Sequence, residues 1–171
     1  MISALVIGDF AIAVERKLNP ALMNVPIVIA SEHARPKVVS ASERCRQDGV
    51  TTANTVRQAE ALCPDVEVLP INHSAYERWS VEIAEVLLQY SDKVEIEYQP
   101  TTTAFYVNST DLLVEMQNAV GEMLGIIPGI GVASNKFTAR VAGAYAVRTE
   151  LHRILVPEGK EAEFFSTYPV T

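Results

Sequence analysis

Residues 4–15 have the sequence Ala4-Leu5-Val6-Ile7-Gly8-Asp9-Phe10-Ala11-Ile12-Ala13-Val14-Glu15. The first part, through Gly8, is an apolar run with β-branched members, which is typical of a buried central strand. Asp9 follows directly, and aspartate commonly caps helices, so a helix is predicted to begin there with Asp9 as its N-cap. A buried strand that leads directly into a helix predicts a fold that mixes the two kinds of element.

The same periodicity arguments extend along the chain. Strands are predicted at 25–30, 37–40, 94–98, 103–107 and 129–133, and helices at 43–48, 55–62, 74–90, 112–124 and 136–147. The β-α-β-β-α-β order of the longer elements predicts an α+β fold with a ferredoxin-like domain, whose antiparallel or mixed sheet carries helices on one face. A small α/β lobe of two strands and several short helices is predicted as an insertion after the first strand and helix.

Bulk properties narrow the class of protein. The chain has 171 residues, of which 49% are hydrophobic, and this fraction is typical of a folded domain. Its net charge of −7 has the wrong sign for tight contact with a phosphate backbone. No apolar run is long enough to cross a bilayer and no signal peptide is recognisable, so a cytoplasmic protein is expected. Cys45 and Cys63 are too few for a cysteine metal site and are expected to be reduced and partly buried.

Several motifs occur in an order that resembles one known family. Residues 4–15 resemble D-x-D-x-F-[FY]-A-x-V-E, residues 19–22 resemble N-P-x-L, and residues 129–142 resemble S-V-G-I-[AS]-x-N-K-x-x-A-K-x-A. These motifs belong to Y-family DNA polymerases of the DinB/UmuC type. The resemblance runs from about Leu5 to the end of the chain.

This resemblance implies a division into two parts. Residues 1–18 and 74–171 correspond to the palm, and residues 19–73 correspond to a fingers lobe inserted in it. The family continues into thumb and little-finger domains where this sequence stops, so a truncated chain that lacks both domains is expected.

The first pair of metal-binding aspartates in the family has no acidic counterpart here. Counted back without gaps from residues 14–15, the two aspartates correspond to Val6 and Gly8, and the bulky aromatic residue that screens the sugar corresponds to Ala11. Asp9 lies one position out of register and is the candidate surrogate ligand. Capping of the helix remains the favoured interpretation of Asp9.

The second acidic pair is also replaced. It corresponds to Thr102 and Thr103 when two extra residues are allowed after 93–95, and to Pro100 and Thr101 without that gap. Two-metal phosphoryl transfer uses hard ions such as Mg²⁺, which need carboxylate oxygens. No catalytic residue, no metal site and no cofactor are therefore expected.

Residues that contact the nucleotide in the family are altered as well. The segment 40–50 resembles the finger motif T-x-x-Y-E-A-R-x-x-G-V, with Glu43 in place of the tyrosine and the arginine retained as Arg46. The lysine of a later A-K-P motif corresponds to Val147, with Arg148 one residue along. Arg46 and Arg148 are therefore interpreted as vestigial phosphate contacts.

Three functions remain open at the level of sequence. The leading hypothesis is a non-catalytic Y-family homologue of the ImuB type, an adaptor in DNA repair or translesion synthesis that joins a catalytic polymerase or a sliding clamp. Primer-template DNA would be bound mainly through the missing C-terminal domains, and association with the nucleoid would follow. The alternatives are a divergent DNA-directed DNA polymerase that uses Mg²⁺ with Asp9 and one of Glu95, Glu97 or Asp111, and an interaction module that no longer binds DNA.

Overall fold

The computed structural model describes residues 1–149 and 151–168. The strands are β1 (Ile2–Gly8), β2 (Ile27–Ala30), β3 (Val38–Ala41), β4 (Glu67–Pro70), β5 (Val94–Glu97), β6 (Thr102–Val107), β7 (Gly129–Ala133) and β8 (Arg153–Leu155). The helices are α1 (Phe10–Leu18), α2 (Glu43–Gln47), α3 (Val56–Leu62), α4 (His73–Leu87), α5 (Leu113–Leu124), α6 (Lys136–Arg148) and α7 (Glu161–Thr167). Within the described residues, no helix has both the length and the apolar character needed to cross a membrane.

The chain divides into two compact units. The first unit contains Met1–Gly8, Ser80–Tyr98 and Thr102–Thr171, and we call it the palm unit after the part of the family that it resembles. The second contains Asp9–Trp79 and Gln99–Thr101, and we call it the fingers unit on the same ground. The predicted boundaries after residues 18 and 73 therefore differ from the observed ones. Helix α1 belongs to the fingers unit because it packs against β2 and β3.

The palm unit is built on a five-stranded sheet in the order β5-β6-β1-β7-β8. Strand β1 is antiparallel to both β6 and β7, and β8 is parallel to β7. The first four strands have the ferredoxin-like order, which confirms the predicted fold class. Strand β8 was not predicted because three residues are too few to show an alternating pattern.

Both faces of this sheet are covered at its centre. Five consecutive residues of β1, Ser3 to Ile7, are buried, although successive side chains of a strand point to opposite faces. One face packs against α6 and α7 in a cluster that includes Val6, Ala104 and Phe164. Val6 and Gly8 of β1, which the sequence assigns to the family's metal-binding positions, lie on this α6 side of the sheet.

The fingers unit contains a three-stranded sheet in the order β3-β2-β4. Strand β2 is antiparallel to β3 and parallel to β4. The prediction of two strands in this unit was wrong, since the sheet has three. Strand β4 was missed because it has only four residues, of which two are exposed and the last is a proline. The core of the unit includes Val28, Cys45 and Cys63.

Candidate functional site

Val6, which the motif register predicts at the position of the family's first metal-binding aspartate, is a core side chain. Val6 has 0% of its surface exposed and packs with residues of α6. It lies opposite Ala104 in the β1–β6 ladder, and Gly8 lies opposite Thr102. Because alternate residues of a strand share a face, Val6, Gly8 and Thr102 all lie on the α6 side.

Glycines allow α6 to approach the sheet closely enough to cover Val6. A Cβ atom placed on Gly143 of α6 would lie 2.5 Å from Val6 Cγ2, and one placed on Gly131 of β7 would lie 1.9 Å from the Ala139 carbonyl oxygen. Neither contact leaves room for any other side chain. The helix backbone therefore lies directly on β1 and β7.

Gly8 and Val147, which the motif register predicts at the positions of the family's second aspartate and its lysine, lie against each other. A Cβ atom on Gly8 would lie 3.3 Å from Val147 Cγ1, so the valine side chain occupies the space next to Gly8. Thr102, opposite Gly8, is half-buried, whereas Thr103 is fully buried and lies on the other face of the sheet. Apolar and small groups thus meet where the family places charges.

These residues do not fit a divalent metal ion. Hard cations need several oxygen ligands, preferably carboxylates, and Val6 and Gly8 supply no side-chain oxygen. Within residues 1–149 and 151–168, no three His, Cys, Asp or Glu side chains are grouped so that they could hold a metal.

The acids of β5 are engaged by helix α6. Lys136 Nζ donates to both carboxylate oxygens of Glu95 at 2.6 Å, and this hydrogen bond holds the Glu95 pKa below its ordinary value. Arg140 lies 3.5 Å from Glu97, which also accepts a hydrogen bond from the Tyr106 hydroxyl. Both acids of β5 are thus partly exposed and paired with cations of α6.

Asp9 does not cap helix α1 with its side chain. It stands at the N-cap position with φ 50° and ψ 40°, a left-handed conformation, and makes no side-chain cap hydrogen bond. Its carboxylate instead accepts two hydrogen bonds from Arg46, at 2.7 and 2.9 Å. The predicted N-cap position of Asp9 is confirmed, but its side chain makes no cap hydrogen bond because a bidentate guanidinium is the stronger partner for a carboxylate.

Arg46 joins Asp9 to Glu43, and we call these three residues the Arg46 cluster. Arg46 Nη2 donates to Glu43 at 2.6 Å, and Nη1 donates to the carbonyl oxygen of Ala41 at 2.5 Å. The hydrogen bond from Arg46 lowers the pKa of Glu43, and the positive charge adds to that effect. The structure therefore gives the predicted phosphate contact two carboxylate partners from its own unit.

The other two predicted positions lie at the ends of helices. Ala11, the position of the family's sugar-screening aromatic, is fully buried in α1, and its N–H donates to the carbonyl oxygen of Pro100 at 2.8 Å. Arg148 is the last residue of α6 and is exposed.

The strand order of the palm unit and the order of the motifs along the chain are both those of a single family. The sequence model of the impB/mucB/samB family matches residues 6–144. The chain belongs to this family. The impB/mucB/samB relationship, together with the relatives below, supports a palm and fingers region of the Y-family DNA polymerase type.

Characterised relatives of this impB/mucB/samB member are about twice its length. DNA polymerase IV of Neisseria meningitidis serogroup B is 30% identical over 168 residues, which cover 94% of this chain and 52% of that protein. DNA polymerase IV of Stenotrophomonas maltophilia strain R551-3 is 27% identical over 169 residues, which cover 94% and 47%. The crystal structure of DinB from Sulfolobus solfataricus matches with a TM-score of 0.76 at 22% identity, over 96% of this chain and 51% of that one. The chain therefore spans about half the length of these relatives.

Sequence reasoning missed two features of this impB/mucB/samB chain. The first is the role of Pro100, whose carbonyl oxygen binds the first turn of α1. The available signal was the two extra residues that one of the two registers allows after 93–95, because they would mark a loop that departs from the family. The second is the pairing of Asp9 with Arg46, which are 37 positions apart and leave no local signal.

The two cysteines form a buried, reduced pair in the fingers unit. Cys45 and Cys63 are 0% and 2% exposed, and their sulfur atoms are 3.5 Å apart. Burial, followed by the hydrogen bond with Cys45, raises the pKa of Cys63 to about 12. The Cys63 thiol of the folded protein is therefore neutral at physiological pH. Its contribution to the free energy of unfolding falls as the pH rises above about 8.5, because the thiol of the unfolded chain ionises at a lower pH than the buried one.

Thiol reactivity tests this arrangement. In native protein at pH 8, both cysteines should react with Ellman's reagent at least about a hundredfold more slowly than in urea, because both side chains are buried away from the reagent. The comparison is the rate of colour release with and without denaturant, with the Cys63→Ala variant used to follow Cys45 alone. A thiol that reacts rapidly in the folded protein would contradict the buried pair.

Proposed function

We propose that this protein is a non-catalytic Y-family DNA polymerase homologue that acts as an adaptor in DNA repair or translesion synthesis. The observation that carries the proposal is the burial of Val6 beneath α6 at the position of the family's first metal-binding aspartate. A missing ligand on an open surface could be replaced by another side chain. A position filled by the backbone of a helix offers no such space.

The second supporting observation is the contact between Gly8 and Val147. In the resembled motifs these positions carry an aspartate and a lysine, and both charges are absent together. Loss of the metal ligands alone removes the charge stabilisation on which phosphoryl transfer depends. We propose accordingly that the protein needs no Mg²⁺ and that catalysis is supplied by a partner polymerase, with a sliding clamp as a further partner.

DNA binding by the whole protein is part of the proposal. The acidic balance of this chain, 21 acidic against 14 basic residues, does not favour strong attraction to a phosphate backbone. Contacts with primer-template DNA are therefore assigned to regions outside the two units described here.

Primer extension by the full-length protein tests the proposed function. The expected result is no template-dependent incorporation with Mg²⁺ or Mn²⁺, while labelled primer-template is still bound. DNA polymerase IV of Neisseria meningitidis serves as the active control in the same buffers. Extension that Asp9→Ala abolishes would overturn the proposal and establish an active site rebuilt around that acid. A full-length protein that neither extends nor binds primer-template would instead be an interaction module.

A further inference from the structure

The guanidinium of Arg46 is almost fully used by groups of its own unit. Nη1 donates to Asp9 Oδ1 and to the Ala41 carbonyl oxygen, and Nη2 donates to Asp9 Oδ2 and to Glu43 Oε2. A guanidinium has five N–H groups, of which four are on the two Nη atoms. Every Nη hydrogen therefore has an acceptor.

The Arg46 cluster also has a net negative charge, whereas an arginine alone is positive. One guanidinium and two carboxylates give the cluster a net charge of −1, and the lowered pKa of Glu43 keeps that carboxylate ionised at neutral pH. Phosphate groups bind arginine through paired N–H donors and a positive charge. Neither is available at Arg46 while Asp9 and Glu43 remain in place.

A second potential anion-binding group of the same unit, a backbone N–H at the start of α1, also has a partner within the unit. The first N–H groups of a helix have no partner inside the helix and commonly bind anions or polar oxygens. In α1 the N–H of Ala11 donates to the Pro100 carbonyl at 2.8 Å. Asp9, which precedes this turn, holds a left-handed conformation with φ 50° that few residues other than glycine adopt. The bidentate bond to Arg46 accompanies that conformation.

We infer that the fingers unit contains a masked anion-binding centre, in which Asp9 and Glu43 occupy Arg46 as an internal anion and exclude linear polyphosphates such as the triphosphate of a nucleotide. Arg46 keeps 41% of its side chain exposed, so removal of the carboxylates leaves the cation accessible to a ligand. The contact is autoinhibitory for anion binding. It is independent of the proposed adaptor role, since a homologue without metal ligands would be equally inactive with an open arginine.

Binding of inorganic tripolyphosphate without divalent metal tests this inference. The double variant Asp9→Asn/Glu43→Gln keeps the shape of both side chains and removes both charges. By isothermal titration at constant ionic strength, it should bind tripolyphosphate at least about tenfold more tightly than the unaltered protein. Adding Arg46→Gln to the double variant should remove the gain.

A charge-matched control separates the cluster from the general charge of the unit. Glu60→Gln/Asp65→Asn removes the same two negative charges from exposed positions of the fingers unit that have no ion pair among the described residues. This control should bind tripolyphosphate no better than the unaltered protein. Equal gains in the control and the double variant, or a gain that survives Arg46→Gln, would overturn the inference.

The single variant Glu43→Gln guards against a loss of folding in the double variant. Glu43 is 70% exposed and its replacement leaves the bidentate pair between Asp9 and Arg46 intact. A smaller gain in affinity is expected, with circular dichroism unchanged. If this folded variant shows no gain and the folded double variant shows none either, the masked centre does not exist. Neither result depends on primer extension, so the outcome is separate from that of the proposed function.

Discussion

The substitution Val6→Asp is expected to lower the free energy of unfolding by about 3–5 kcal/mol, because it buries a carboxylate without a partner. Val6 has no exposed surface and lies against Gly143 of α6. The residue that the family uses to bind metal is thus expected to act in this chain as a destabilising mutation. Its cost should shrink as the pH falls toward about 4, since a buried carboxyl is protonated in the folded state before it is in the unfolded chain.

Urea unfolding followed by circular dichroism measures this effect. Val81→Asp makes the same chemical change at a helix position that is 50% exposed, and it should cost less than about 1 kcal/mol. Equal stability of Val6→Asp and the unaltered protein would mean that the helix moves away and opens a site at β1. That result would also remove the main support for the proposed adaptor function.

The substitution Gly131→Ala is the second large effect expected. The new methyl group would lie 1.9 Å from the Ala139 carbonyl oxygen and 2.4 Å from the Gly143 nitrogen, and both are backbone atoms that cannot rotate away. Helix α6 must then separate from β7, at a cost of about 3 kcal/mol or more. The loss of packing should also expose Val6.

Gly49→Ala provides the comparison for this substitution. A Cβ atom on Gly49 meets nothing within 4 Å, so only the left-handed backbone, with φ 92°, opposes the change. The expected cost is about 1 kcal/mol. Thermal unfolding of both variants measures the difference, and similar melting temperatures would contradict the close approach of α6 to the sheet.

The palm sheet was predictable because its strands carry strong local signals. Strand β1 is a continuous apolar run, β7 lies between a proline–glycine turn and a capped helix, and the ferredoxin-like order follows from the succession of elements. Short elements such as β4 and β8 escaped prediction, because they depend on pairing with distant strands and not on their own pattern.

The sequence predicted how the family's acidic positions map onto this chain, but it did not predict what those residues contact. The register of the motifs assigns those positions to Val6 and Gly8 and to either Thr102 and Thr103 or Pro100 and Thr101, and this assignment stays a prediction. The contact of Val147 with Gly8 and the bond of Asp9 to Arg46 join residues far apart in the chain, and no spacing rule relates them. Asp9 is the clearest example. Its residue type favours a side-chain cap hydrogen bond, but in the structure its carboxylate binds Arg46 instead.

The ladder of β1 has a consequence for synthesis of the protein on the ribosome. Ser3 pairs with Val107 of β6, and Ile2 pairs with Ala133 of β7. At about 5–20 residues per second, a strand whose partners lie about 100 residues downstream waits roughly 5–20 seconds before either partner is made. Strand β1 is therefore an exposed apolar segment until β6 and β7 have been made, and it is a segment that a nascent-chain chaperone has reason to cover.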